Sequence, residues 1–167
     1  MDITDYTSYK AVRTTVGLSS DELPDALLGE EIYQNVLELA LNDVELPDTT
    51  PGPGPLDVTF ITIRDTEESN RTEVEQKLYN LTRLFSTYSV ALEVVVSLSM
   101  RAPKTVSDSK ASLIRFSPES TYQLVIDEIK GRVADLKSKI ENINETTVST
   151  FALLKVVNPA VDPVTGE

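Results

Sequence analysis

The chain of 167 residues carries 27 acidic and 15 basic side chains, for a net charge of −12, and 40% of its residues are hydrophobic. It contains no Cys and no His, which excludes disulfide scaffolds, Cys or His metal sites, Cys nucleophiles and His-based proton transfer. The length suits one hydrophobic core, so we expect a single domain. We expect no enzymatic activity, no cofactor and no bound metal.

The negative charge is concentrated in the N-terminal part of the chain. Residues 1–70 hold 15 acids and 3 bases, whereas residues 71–167 hold 12 of each. Non-specific nucleic-acid binding by the whole surface is therefore not expected, because phosphate contacts require clustered Lys and Arg. The acidic part suits a basic protein partner or a passage in which DNA slides without sticking. A solvated acidic surface is the simpler alternative.

The sequence also predicts where the protein acts. Its first ten residues, MDITDYTSYK, lack a basic and apolar leader. The apolar-rich run Val90–Met100 contains Glu93 and is shorter than a bilayer requires. We expect a cytoplasmic protein that does not enter a membrane, in which the glycosylation sequons at Asn70, Asn80 and Asn144 occur by chance.

Two helices are predicted before the first proline-rich segment. The first covers Tyr6–Val16, with Asp5 as its N-cap and Gly17 at its end. A capping-box pattern, S-x-x-E at Ser19–Glu22, predicts a second helix over Glu22–Val44. Residues 47–55, PDTTPGPGP, break this helix and form a loop. The β-branched run Leu56–Ile63 then favours a short β segment.

Two long helical arms follow, and each has an apolar residue at alternating steps of three and four. This 3.5-residue spacing predicts a narrow apolar face on each arm, suited to lengthwise packing against another helix. We therefore expect an all-α helical bundle built on a long antiparallel hairpin, with the helical domain at residues 1–144. The apolar positions are Val74, Leu78, Leu81, Phe85, Tyr88, Leu92 and Val95, and then Tyr122, Ile126, Ile129, Val133, Leu136, Ile140 and Ile143.

A polar elbow at residues 102–117 joins the arms, and Ser117 and Pro118 favour the start of the second arm. With the last residue of the first arm, the elbow has four cations and one acid, followed by apolar side chains. Four roles fit this segment: a subunit interface, a contact with another protein, a DNA contact, or a solvated loop that caps its own hairpin. We favour a protein interface, with the planar guanidinium of Arg115 as the best anchor. The candidate interface residues are Arg101, Lys104, Asp108, Lys110, Leu113, Ile114, Arg115 and Phe116.

Residues 145–167 are expected to form an extended C-terminal arm with a Pro-interrupted end. The arm could add a strand to a neighbouring molecule or fold back onto Leu56–Ile63 of its own chain. Its candidate contact residues are Val148, Phe151, Leu153, Leu154 and Val156.

Three stretches resemble the head-tail connector, or adaptor, proteins of tailed bacteriophages. They are YKAVRTTVGLSSDELPD near the N-terminus, the Pro-terminated second helix, and the elbow KTVSDSKASLIRFSPES between two long helices. The likeness covers residues 5–143, although this chain has Ser109 where the family often has Gly after the Asp of the elbow.

The resemblance implies a structural virion protein in the phage neck that waits in the host cytoplasm before assembly. Such adaptors form homo-oligomeric rings, usually twelvefold, beneath the portal protein, extend the DNA channel and present a docking surface for tail or neck proteins. DNA would pass without sequence-specific binding. The residues themselves also admit an intracellular helical module that regulates a partner protein.

Carboxylate clusters are the remaining route to catalysis. One group contains Asp21, Glu22 and Asp25, and the other contains Asp65, Glu67 and Glu68. Either could hold a hard cation for a metal-dependent hydrolase. Both lie where acids stabilise a helix N-terminus, which we favour as their role. The GPGP sequence lacks the Lys and Ser/Thr of a phosphate-binding loop.

Overall fold

The computed structural model describes residues 2–47, 55–101, 106–108, 111–113 and 118–143. These residues are mostly helical, which confirms the predicted all-α class. Two short strands pair antiparallel in the elbow, with Val106 opposite Leu113. The elements are α1 (Tyr9–Val16), α2 (Asp25–Leu28), α3 (Glu31–Asn42), α4 (Leu56–Asp65), α5 (Glu73–Arg101), β1 (Val106–Asp108), β2 (Ala111–Leu113) and α6 (Pro118–Glu141), with 3₁₀ turns at Ile3–Asp5 and Glu68–Asn70.

Helix α5 is the centre of the fold, because α1, α3, α4 and α6 all pack against it. Successive helical residues point about 100° apart. The run Ser89–Ala91 is buried, so the middle of α5 has neighbours around most of its circumference. Part of this buried surface is polar. Thr7 and Thr87 share a hydrogen bond of 2.6 Å between their hydroxyls, which joins the N-terminal segment to α5.

The apolar character of α5 follows from this position. By length and composition alone, Glu73–Ser99 could cross a bilayer, with a mean hydropathy of 1.3 over an 18-residue window. Half of that window is buried within the protein. Packing inside the bundle is sufficient to account for the composition of the helix.

The first predicted helix starts later than expected. Ser8, not Asp5, is its N-cap, and the Ser8 hydroxyl accepts the Ala11 N–H at 3.1 Å. The Asp5 carboxylate instead accepts a hydrogen bond from the Arg64 guanidinium at 2.7 Å. The predicted end is confirmed, since Gly17 has a φ of 73°, a left-handed conformation that glycine adopts without steric cost.

The prediction of one helix over Glu22–Val44 is wrong. The Ser19–Glu22 capping box closes a single turn, and Pro24 then stops the helix, because a residue before proline is disfavoured in helical conformation. The short α2 ends at Gly29, where an added Cβ would lie 3.2 Å from the Tyr9 hydroxyl. Glu30 is extended, and α3 begins at the next residue.

The predicted β segment at Leu56–Ile63 is also wrong, because these residues lie in α4. Leu56, Phe60 and Ile63 are buried at helical spacing. The Phe60 ring stacks between Tyr6 and Tyr79, with ring centroids 4.9 and 5.1 Å apart. Burial of this face against the bundle outweighs the modest β preference of the segment.

Arg71 joins the end of α4 to α5. Its guanidinium donates to the carbonyl oxygens of Ile63, Arg64 and Thr66 at 2.9, 3.0 and 3.1 Å. It also lies 4.5 Å above the Tyr79 ring. The guanidinium therefore satisfies carbonyl groups that the helix end leaves unpaired.

The first arm begins as predicted at Thr72, with a capping box that the sequence analysis missed. The Thr72 N–H and hydroxyl both donate to Glu75 Oε2, at 2.7 and 2.8 Å, and the Glu75 N–H donates back to the hydroxyl at 3.2 Å. These bonds lower the pKa of Glu75 below its ordinary 4.5. Pro118 is the first residue of α6, as predicted, and Ser117 lies outside the described residues.

A pair of substitutions distinguishes helix from strand at 56–63. In a strand, Val58 and Phe60 would share a face, whereas in α4 Val58 is 54% exposed and Phe60 is fully buried. We expect Phe60→Ala to cost about 3–5 kcal/mol in the free energy of unfolding, and Val58→Ala about 0.5 kcal/mol. Urea denaturation measures both. Equal losses would contradict the helical assignment.

The α5 capping box generates a second prediction. Thr72→Ala should cost about 1 kcal/mol at neutral pH. Because the folded-state pKa of Glu75 is lowered, its stabilisation is present above pH 4.5 and lost as pH falls through the folded-state value. The stability difference between wild type and Glu75→Gln should therefore shrink on acidification. Glu73→Gln, two residues earlier in the same first turn, is the control. A stability difference for Glu75→Gln that does not depend on pH would contradict the assignment.

Candidate interaction site

Most of the predicted interface lies outside the described residues. This is the case for Lys104, Lys110, Ile114, Arg115 and Phe116. Arg101 is the last residue of α5, Asp108 ends β1 and Leu113 ends β2. The C-terminal contact residues Val148, Phe151, Leu153, Leu154 and Val156 also lie outside the described part.

The elbow contains a pair of short β-strands, where the sequence predicted only a loop. Asp108 pairs with Ala111, and the two strands form an antiparallel ladder between α5 and α6. The chain therefore leaves the end of one long helix, forms a short ribbon and returns to the start of the other. The candidate residues are spread along this ribbon and the segments that flank it.

Close to the end of α5, the surface has an acidic-rimmed groove, a cavity of about 300 Å³. We call it acidic-rimmed because it is lined by the two acids Glu22 and Glu30. Its other lining residues are Leu23, Leu27, Tyr33, Val94, Ser97 and Leu98. Leu27 is 37% exposed, so an apolar side chain faces solvent beside two carboxylates. An apolar cleft with charged edges is the kind of surface that binds an apolar side chain accompanied by a cation.

The first rim acid is held in place by local hydrogen bonds. The Ser19 N–H and hydroxyl both donate to Glu22 Oε2 at 2.9 Å, and the Glu22 N–H donates to the Ser19 hydroxyl oxygen at 3.4 Å. These bonds lower the pKa of Glu22. These bonds therefore favour the charged form of Glu22.

Arg13 holds the neighbouring segment from α1. Its guanidinium donates to the Leu23 carbonyl at 3.2 Å and forms an ion pair with Asp25. The Arg13 side chain is only 14% exposed. The groove wall between the capping-box turn and α2 is thus attached to the neighbouring helix α1.

The carboxylate clusters have structural partners. Asp25 pairs with Arg13, and Asp65 accepts a hydrogen bond from Arg64 at 3.0 Å. Glu67 accepts one from the Asn70 amide at 3.5 Å. Within the described ranges, no three Asp or Glu side chains lie close enough together to hold a metal ion.

A second cavity, of about 380 Å³, lies between α1, α5 and α6. Glu128 and Arg132 both line it, and their charged groups lie 3.8 Å apart. Because these opposite charges offset each other, this cavity lacks the charge preference of the acidic-rimmed groove.

The sequence analysis did not predict the groove. It expected Leu23, Leu27 and Glu30 to belong to one continuous helix over Glu22–Val44. The signals that could have found it were Pro24 and Gly29, which bracket α2 and turn its apolar residues toward α5.

Comparisons of the chain with protein family models, curated protein sequences and solved structures found no match. Functional inference therefore depends on the residues and the geometry described above.

Removal of the Arg13 guanidinium tests whether α1 supports the groove wall. We expect Arg13→Met to lower the free energy of unfolding by about 1 kcal/mol, because it leaves the Leu23 carbonyl and Asp25 without this donor. Lys10→Met, at an exposed position one turn earlier, is the matched control and should change stability by less than about 0.5 kcal/mol. Equal effects in urea denaturation would contradict the anchoring role.

Proposed function

We propose that this chain is a structural virion protein, a head-tail connector of a tailed bacteriophage. In this proposal its copies form a ring, twelvefold as in the adaptor proteins that it resembles, between portal and tail. The ring surrounds the DNA channel and presents a docking surface to tail or neck proteins. The protein is cytoplasmic before assembly, has no membrane step and performs no catalysis.

The observation that carries the proposal is the ribbon-tipped pair of long helices. At 1.5 Å per residue, α5 and α6 span roughly 44 and 36 Å. Val95, late in α5, packs with Ile126 and Ile129, early in α6, which supports the antiparallel hairpin. Such a rod with an elbow at one end suits a scaffold that contacts neighbours at a distance from its own core.

The distribution of charge is consistent with a closed ring. In a cyclic assembly each subunit presents one surface to a different surface of the next subunit, so opposite charges on the two sides favour the correct contact. The N-terminal 70 residues carry all the excess negative charge, while the elbow and the adjacent Arg101 together carry four cations with one acid. An acidic channel lining would also prevent DNA from adhering as it passes.

Composition of the virus particle tests the proposal directly. Particles from a genome that encodes this chain should contain it in several copies per portal ring, measured by quantitative mass spectrometry. Particle imaging of purified protein mixed with portal should show an added ring of density. Absence from purified particles, together with a one-to-one complex with another cellular protein, would favour the regulatory-module alternative and overturn the connector proposal.

The elbow cation has its own test. Arg115→Glu should weaken assembly on the portal about tenfold, because it replaces a bidentate donor by a repelling charge. Helical circular dichroism should remain unchanged. Arg132→Glu, which reverses a cation on α6 outside the elbow, is the control. Loss of helical signal in the elbow variant would instead indicate a role inside the monomer.

A further inference from the structure

We infer that the acidic-rimmed groove is the receptor for the elbow of a second copy of this chain. The inference rests on the proposed assembly into a ring and names the two surfaces that meet. The occupant is the apolar-cation-apolar sequence Ile114–Phe116, with Arg115 between the rim carboxylates and an apolar neighbour on the groove floor.

The chemistry of the groove matches this sequence. Its floor is apolar, with Leu23, Leu27 and Leu98, and its rim carries Glu22 and Glu30. A volume of about 300 Å³ is at the small end of the range for binding pockets, which suits one large side chain. An aromatic side chain in a cleft and an Arg against carboxylates are the groups that most often dominate binding at protein interfaces.

The direction of the groove favours a second copy over the elbow of the same chain. On α5, Val94, Ser97 and Leu98 face the groove. Tyr88, Leu92 and Val95 face α6. At about 100° per residue these two sets lie roughly 130° apart around the helix. Helix α6, which follows the elbow in the chain, therefore packs against a different side of α5 from the side that lines the groove.

The size of the groove also favours a ring over an isolated pair. A stable complex buries about 1,200–2,000 Å² of surface, whereas one aromatic side chain buries about 150–250 Å². A single elbow in a single groove is therefore a weak contact. In a closed ring every subunit gives one elbow and receives one, so no copy can leave without breaking two contacts.

Cross-linking tests the occupant, because the chain has no Cys of its own. Full-length Leu27→Cys and Phe116→Cys proteins would be mixed at high concentration, with portal present and absent, and treated with a short bismaleimide. We expect a heterodimer containing one copy of each variant. Leu39→Cys replaces Leu27→Cys in the control, since Leu39 is 71% exposed but lies outside the groove.

The two cysteines placed in one chain distinguish the occupants. Products of two or more chains support the inference. Cross-linking only within the chain would show that the groove takes its own elbow and would overturn the inference. Equal heterodimer yields from Leu27→Cys and Leu39→Cys, or no heterodimer in either condition, would also overturn it.

Charge reversal provides an independent test. Glu30 makes no side-chain hydrogen bond to the start of α3, so Glu30→Arg should leave the fold intact. We expect it to reduce heterodimer yield about tenfold, and Arg115→Glu on the other copy to restore the yield to within about threefold. Glu31→Arg, at the adjacent exposed position, is the control. Absence of restoration would show that Arg115 does not meet this rim.

Failure of this inference and failure of the proposed function give different results. If the chain forms a ring on the portal but Leu27 and Phe116 do not cross-link, the connector function stands and the docking assignment is wrong. If they cross-link between copies but the chain is absent from virus particles, the docking assignment stands and the connector function is wrong.

Discussion

Burial of α5 around most of its circumference is the constraint on which the rest of the structure depends. A helix that is apolar on several faces must be covered on several faces, and α1, α3, α4 and α6 provide that cover. Two further contacts hold α4 against the bundle. The Phe60 ring stacks between Tyr6 and Tyr79, and Arg71 donates a hydrogen bond to a carbonyl near the end of α4. Removing one covering helix would expose a face that water penalises by about 25 cal/mol for each Å² of apolar surface.

The same packing positions the acidic-rimmed groove. Val94 and Leu98 of the central helix line one side of it, and the segments around α2 line the other side and carry the rim acids. Arg13 and the Ser19–Glu22 turn fix those segments. The groove is therefore formed by elements that are distant in sequence, and it exists only when the bundle is assembled. A groove of this kind is pre-organised, because its parts are held by contacts within the bundle.

Sequence patterns predicted the parts of the fold in which local preference and packing agree. The apolar spacing of the long arms, Gly17 at the end of α1 and Pro118 at the start of α6 are of this kind. The predictions were wrong where local preference and packing disagree. Leu56–Ile63 has strand-like composition, but the segment forms α4, in which Phe60 stacks between two aromatic rings. Ser19 and Glu22 form a capping box, but Pro24 follows too soon for it to start a long helix. The groove could not be predicted, because its two walls are about 70 residues apart.

The N-terminal segment has a consequence for how the protein is made. Ile3 and Tyr6 are almost wholly buried, and the partners of this segment come much later in the chain, at Arg64 through Asp5 and at Thr87 through Thr7. During translation the first residues emerge from the ribosome long before those partners exist. The N-terminal segment therefore lacks these partners until most of α5 has been synthesised, and native closure is a late event that requires slow long-range contacts. Newly made chains would expose apolar surface in that interval, when chaperones have the greatest opportunity to bind them.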